Sequence, residues 1–368
     1  MKTNPEEHNQ KGVIRIKSPA RTCLFGDHQD YMYLPVIACA IDRHIDLTAT
    51  PIAENHLHVV LPDINKEKYI ALDENFGEGV IGDHLLAAYK VFKAQGGQLA
   101  NGYKIIVKGN VAINAGISSS SAVVVGWVNF LLAASSTPMK KDREYIAQLA
   151  YEAEVTEQRS PGGRMDQYAI ALGDIIYLET DDNASYETYK KEVPGLIVGE
   201  SGIPKPTLSL LGELRTKAWE AIKAIQNTHP DFEIADARNE DLDTLLPLVP
   251  EPLKKVFEAA VCNHSITRTA LTEIRKEHPD MALIGSLINE HHALLRDNLG
   301  ITVPLIDKMI EAALDAGALG AKIVGSGLGG SIIALAPEGK ELAVIDAIKR
   351  SGARDAYLVA TDPGVRIV

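Results

Sequence analysis

Cysteine is scarce in this chain. Cys23, Cys39 and Cys262 are the only three in 368 residues, widely spaced and odd in number. They build neither a disulfide framework nor a thiolate metal site, and they suit a reducing compartment. Long apolar runs are lacking as well. The longest, Ala122 to Ala134, is interrupted by Asn129 and falls short of the ~18–20 residues that cross a bilayer, so it reads as a buried helix. The opening MKTNPEEHNQKG is polar and has no apolar signal region. A basic excess is missing too: 37 Lys and Arg face 49 Asp and Glu, a net charge of −12, which disfavours a groove for a nucleic-acid backbone. Internal repeats, low-complexity segments and the GxxxxGK[ST] phosphate loop are absent. The expectation is a cytoplasmic protein without nucleic-acid or membrane partners, acting as a monomer or homodimer.

What is present is an ordinary globular composition, 46% hydrophobic, long enough for about two domains. VIRIKSP reads as a strand ended by Pro19, and YLPVIACAID and RHIDLTATPI as two further strand-like stretches. HLHVVLP and KYIAL are candidate partners, GDHLLAAYKVFKAQGG has a helical period, and YKIIVKGNVA is another strand. NAGISSSSAVVVGWVNFLLAAS turns from a glycine–serine loop into an apolar helix rich in valine, which only packing can hold. KDREYIAQLAYEAEVTEQR is read as a second helix, followed by a glycine turn, a short helical piece and a strand. Beyond a soft boundary at 193–202 the chain is mainly helical until AKIVGSGLGGSIIALAP, GKELAVIDAIKRSG and DAYLVAT supply strand, turn, strand, helix and strand. The fold class is α+β, divided as 1–195 and 196–368.

Four segments carry candidate chemistry. Gly116 to Ser121 places a glycine and the hydroxyls of Ser118, Ser119, Ser120 and Ser121 at a helix start. Free N–H groups and the helix dipole there can hold phosphate, and serine oxygens can serve Mg²⁺, although a plain helix cap has the same pattern. RTCLFGDHQDY groups Arg21, Asp27, His28 and Asp30 around Gly26. The two acids can accept hydrogen bonds from adjacent hydroxyls, while a solvated polar turn remains the alternative. In GGRMDQ, Gly162 and Gly163 allow close backbone approach and Asp166 can act as general base toward a hydroxyl; Glu154, twelve residues upstream, is a second carboxylate within reach of Mg²⁺. GSGLGG packs Gly325, Gly327, Gly329 and Gly330 into one turn, more than a hairpin needs.

Together these segments resemble the GHMP kinase superfamily of galactokinases, homoserine kinases, mevalonate kinases and phosphomevalonate kinases. RTCLFGDHQDY is similar to the galactokinase signature, NAGISSSSA to the family's glycine–serine phosphate loop, and AKIVGSGLGG to its third motif. The resemblance implies an N-terminal domain like the second domain of ribosomal protein S5, a ferredoxin-like C-terminal domain and a site between them. It also implies ATP and Mg²⁺ as cofactors and a small-molecule sugar substrate. By motif match, Asp166 and Arg21 would be catalytic, and Asp27, His28, Asp30 and Gly163 would contact the sugar. Gly116, Ser118, Ser119, Ser120, Ser121 and Gly327 would bind nucleotide, with Ser120 and Glu154 near Mg²⁺.

The chain also departs from the galactokinase pattern. It has Asp27 for the usual glutamate, "MY" before Leu34 for an NGG-like turn, and Asn114, Ala112 and Ser121 for a usual glycine, proline and alanine. GESGIPKPTLSLLGELR looks more like the mevalonate-kinase version and lacks the tyrosine that galactokinases offer the sugar. GSLINEHHALL resembles a serine–histidine stretch of galactokinases, its histidines reading as helix-surface residues. The expected reaction is phosphoryl transfer from MgATP to a monosaccharide, at the anomeric hydroxyl. The alternatives are a mevalonate-kinase-like reaction on a non-sugar alcohol and a non-catalytic sensor on a kinase scaffold.

Overall fold

The first strand, β1 (Ile14–Phe25), opens the computed structural model, which describes residues 12–74, 76, 80–204 and 207–368. The polar opening at 1–11 and two residues of the GESGIPKPTLSLLGELR stretch, 205 and 206, lie outside the described residues. Where the sequence predicts an end at Pro19, β1 runs on to Phe25, and β2 (Val36–Ile52) is one strand of 17 residues rather than two. Both differences have one cause. Pro19 opposes His44 but Ala20 opposes Ile41, so Asp42 and Arg43 are extra residues in a bulge. Proline has no N–H to give to a ladder, and a bulge is where a strand tolerates it. The bulge in turn anchors the distant chain: the Asp42 N–H donates to the Ala360 carbonyl at 3.0 Å, and Asp42 Oδ1 accepts from the Ala360 N–H at 3.1 Å.

The first sheet continues with β3 (His56–Leu61), β4 (Lys66–Ala71), β5 (Gly102–Gly109), β6 (Ile175–Leu178) and β7 (Tyr186–Tyr189). Its main path is β1-β2-β5-β3-β4, with β6 pairing β2 and β7 pairing β6. Helices α1 (His84–Ala94), α2 (Ser119–Ala134), α3 (Arg143–Tyr151) and α4 (Met165–Leu172) belong to this unit. Of these, α2 is the buried centre. Trp127, Phe130, Leu131 and Leu132 are inaccessible, and Gly126 brings the helix so near β1 that a Cβ there would lie 3.1 Å from Ser18 Cβ. The predicted second helix is not uniform. After α3 the hydrogen bonds lengthen to five residues over Glu152–Thr156, with the Glu157 N–H bonded to Glu152 O at 2.8 Å and the Ser160 N–H to Val155 O at 2.9 Å. This π turn re-aims Glu154 relative to a continuous α-helix.

The chain then enters a second sheet, with β8 (Leu196–Glu200), β9 (Gly320–Val324), β10 (Ser331–Leu335) and β11 (Asp355–Leu358) in the order β11-β8-β10-β9, antiparallel throughout. Between β8 and β9 come α5 (Thr207–Gln226), α6 (Leu242–Leu245), α7 (Lys254–Ile274), α8 (Met281–Asp297) and α9 (Pro304–Asp315), and α10 (Glu341–Arg350) precedes β11. The fold is α+β, as the sequence implies. Finally β12 (Arg366–Ile367) returns to the first sheet and pairs with β1, placing Ile367 opposite Ile16. Among the described residues no helix is long and apolar enough to cross a membrane.

Two glycines let α8 lie directly on β9. A Cβ on Gly285 would stand 2.6 Å from the Leu319 backbone, and one on Gly320 would collide with the Gly285 carbonyl. Gly285→Val should therefore lower stability by about 1–3 kcal/mol, read as a fall in urea midpoint. An unchanged midpoint would show that helix and strand separate freely.

Candidate active site

Arg21, on β1, is buried and makes three bonds. Its Nε and Nη2 reach Asp166 Oδ1 at 2.8 Å and 2.7 Å, and its Nη1 donates to the Gly116 carbonyl at 2.7 Å. Asp166 stands in the first turn of α4, and its other oxygen accepts from the Ser118 hydroxyl, with Ser121 Oγ 3.5 Å away. Three segments distant in sequence, β1, the start of α2 and α4, thus converge on one carboxylate. Ser118 holds a left-handed conformation (φ 58°) at the N-cap of α2, and its hydroxyl caps no N–H of that helix because Asp166 takes it. The first N–H groups of α2 keep their donors for a ligand. Ser119 is half-buried and Ser120 exposed beside them.

Behind this loop lies the glycine turn. Gly325, Gly327, Gly329 and Gly330 all have positive φ, between 78° and 136°. Gly116 (φ 86°) and Gly325 meet across the two units: a Cβ on Gly116 would be 2.9 Å from Val324 O, and one on Gly325 would be 3.1 Å from Gly116 O. A Cβ on Gly327, the glycine expected at the nucleotide, would lie 2.5 Å from Ile301 Cβ.

Asp27 is also placed otherwise than the sequence led us to expect. Its carboxylate is fully buried, one oxygen bonded to the Lys322 ammonium and the other accepting the Gly325 N–H at 2.9 Å. It is a buried ion between the two units, one oxygen on the Lys322 ammonium and the other on a backbone N–H. Burial alone would raise its pKa, but the Lys322 charge, with the hydrogen bonds from Lys322 and Gly325, more than offsets this and holds it at about 2. His28 (φ 63°) bonds Tyr31 Oη through Nδ1 at 3.2 Å. The histidines of α8, read as surface residues, are buried: His291 is 1% and His292 5% exposed, and His291 stacks on Phe25 with ring centroids 6.2 Å apart. An apolar partner below and Lys322 nearby leave no room for an imidazolium. Burial first, then Lys322, pushes His291 down to about 3.

Asp30 keeps an open face. Its Oδ1 accepts the Tyr31 N–H at 3.0 Å, while Thr180 Oγ1 fixes the loop by donating to the carbonyls of Asp30 at 3.2 Å and Leu34 at 2.9 Å. Asp30 abuts Gly163 so closely that any Cβ there would collide with its carboxylate. Both line a cavity of about 270 Å³. Burial, then the Asp166 charge, raises Asp30 to about 6. Glu154 accepts from Gln167 Nε2 at 2.6 Å, and its pKa is raised mainly by burial, with Asp166 adding to it. Two neighbouring carboxylates that repel each other, with serine oxygens at the adjacent helix start, form a donor set of the kind Mg²⁺ takes when phosphates complete its shell. Among the described residues no group of three His, Cys, Asp or Glu could hold a metal unaided.

The same segments match known proteins. Residues 83–174 fit the GHMP kinases N terminal domain, residues 270–354 the GHMP kinases C terminal family and residues 6–51 the galactokinase galactose-binding signature. A galactokinase of Thermococcus kodakarensis is 30% identical over 334 residues, covering 89% of this chain and 90% of that one. The chain belongs to the GHMP kinase family. It is an ATP-dependent small-molecule kinase. The crystal structure of Lactococcus lactis galactokinase complexed with galactose superposes with a TM-score of 0.84 at 25% identity, covering 98% of the kinase and 96% of that chain. A mevalonate kinase of Pyrococcus furiosus is 27% identical over 367 residues, covering 96% of the kinase and 98% of that protein.

Sequence reasoning passed over Lys322 and read His291 as a helix-surface residue. A lone lysine inside AKIVG was a usable signal, since a cation in a buried strand requires a buried acid. Removing one partner strands the other, so Lys322→Met alone should cost about 3–5 kcal/mol, and Asp27→Asn with Lys322→Met should recover most of it. Equal losses in single and double variants, by urea unfolding, would dismiss the pair as a structural element. The neutral histidines set a pH dependence. His291 is depressed from 6.5 to about 3, so only the unfolded chain takes up its proton in that window. Its contribution is complete above pH 6.5 and is lost as pH falls. Asp30, raised, works in the opposite sense between its unfolded value and about 6. His291→Phe should flatten the acid decline of stability, and an unaltered slope would contradict a neutral buried His291.

Proposed function

We propose that the kinase transfers the γ-phosphoryl group of ATP to a hydroxyl of a monosaccharide, the anomeric one, in the manner of a galactokinase. The observation that carries this reading is the meeting of Asp166 with Arg21, Ser118 and an uncapped helix start, beside a cavity walled by Asp30 and Gly163. In the reaction an O–P bond forms to the sugar oxygen, the bond from the γ-phosphorus to the β-phosphate bridge breaks, and the hydroxyl proton leaves.

Asp166 orients that hydroxyl and takes its proton. Its ion pair with Arg21 weakens it as a strong base, which suits a loose transfer in which the proton departs late and positioning dominates. Arg21 holds Asp166 and the Gly116 carbonyl together, and its charge favours negative charge developing nearby. The N–H groups of Ser119, Ser120 and Ser121 cradle phosphate, and Ser118 fixes Asp166. Asp30 accepts from a sugar hydroxyl while Gly163 gives the ring backbone clearance. His28 bonds Tyr31, which lines the cavity, and Asp27 ties the loop to Lys322 and Gly325. Mg²⁺ would neutralise phosphate charge, with Glu154 and Ser120 as its protein oxygens.

Asp166→Asn should lower kcat by roughly 10²–10⁴ and leave ATP affinity nearly unchanged. Near-normal turnover, with galactose as substrate in a coupled ADP assay, would remove Asp166 from this role.

A further inference from the structure

The cavity beside Asp30 is unbalanced in charge. Three arginines line it, Arg159, Arg164 and Arg215, against one carboxylate, Asp30. Among the described residues no close buried acid neutralises any of the three. Arg164 is 8% exposed and stacks over the Tyr151 ring at 4.6 Å; the acid nearest it is Asp182, 3.7 Å away and fully exposed. A pair stretched to that length through water is worth little, while burying a guanidinium is costly unless a strong acceptor meets it. Arg164 also meets the Tyr168 hydroxyl, which carries no charge. Among the described residues Arg215 donates to the Pro161 carbonyl, at 3.3 Å, and to no acid. Arg159 has no acid partner among the described residues. It is held at φ 51°, a left-handed conformation that costs a non-glycine residue about 1–2 kcal/mol, in the turn that closes the π segment. Strain of this kind persists where the side chain is used.

A neutral sugar does not call for this arrangement. Its hydroxyls are served by Asp30 and by backbone groups, and three guanidinium groups would gain little from it. An anion is what the guanidinium fork matches, with two parallel N–H bonds to one carboxylate or phosphate. We propose that the substrate is an acidic monosaccharide, bearing a carboxylate or a phosphate monoester that Arg164 and Arg159 hold with Arg215. The net positive wall offsets the repulsion that Asp30 and Asp166 would otherwise exert on such a ligand. The proposal rests on the sugar-kinase reading above and specifies its substrate class. Phosphoryl transfer is unchanged, the acidic group taking no part in the chemistry.

The test is an initial-rate comparison of galactose, galacturonate and galactose 6-phosphate in the full chain, with mevalonate as a further arm. At least one of the two acidic sugars should exceed galactose in kcat/KM by about tenfold or more, through a lower KM, and which one does so separates carboxylate from phosphate recognition. Arg159→Ala, at an exposed position that folding tolerates, and Arg164→Gln should each cut the ratio of acidic to neutral kcat/KM about tenfold. Calorimetric titration with the preferred acidic sugar should weaken in parallel. Galactose turnover with no acidic sugar preferred, and a ratio unmoved by Arg159→Ala, overturns the proposal and leaves the sugar-kinase reading intact. Turnover of mevalonate with no sugar accepted overturns both.

Discussion

The buried ion pair between Asp27 and Lys322 is the joint on which the two units turn into one site. It lies where β1 ends and β9 runs alongside, and both partners are inaccessible to water. The second Asp27 oxygen grips Gly325, Gly325 packs on Gly116, and the Gly116 carbonyl takes a bond from Arg21, which holds Asp166. A continuous series of contacts therefore runs from the glycine turn of the second unit to the carboxylate at the centre of the first. A pair of this kind adds little net stability over an apolar replacement, because desolvation offsets its attraction. What it does is define a single register between the units, since a charge displaced from its partner here has no water to turn to.

Around that joint the burial is apolar in bulk and polar only where geometry demands it. His291 rests on Phe25 and stays neutral, so among the described residues Lys322 pairs with Asp27 beside no second cation. The glycines at 116, 285, 320 and 325 serve the same end by bringing backbone against backbone. Gly116 and Gly325 do so between the two units, and Gly285 and Gly320 do so within the second, where α8 lies on β9.

Local patterns made much of this legible. The helices, the glycine–serine loop and the antiparallel second sheet follow from periodicity and breakers, and the convergence of Arg21, Ser118 and Asp166 agrees with their motifs. Contacts over long sequence separations were not legible. Asp27 looks like a ligand-facing acid in RTCLFGDHQDY because its partner is 295 residues away. Pro19 looks like a strand end because the bulge that admits it lies on another strand. Adjacent histidines after Glu290 look solvated on a helix, until packing of α8 against β9 buries that side. Arg164 was passed over within GGRMDQ, since only the cavity gathers it with Arg159 and Arg215.

The return of β12 to β1 has a consequence for how the chain can be divided. Residues 16 and 367 are neighbours, and the Asp42 bulge is tied to Ala360, so the first sheet is assembled from chain on both sides of the second unit. No single cut releases either unit whole: a break near 195 leaves the first sheet without its outer strand and the bulge without its anchor. Folding must close a loop of nearly the entire chain before that strand can dock, a late step by its entropy. The second unit is topologically an insertion, and its own local contacts can form while the first sheet still waits for its edge.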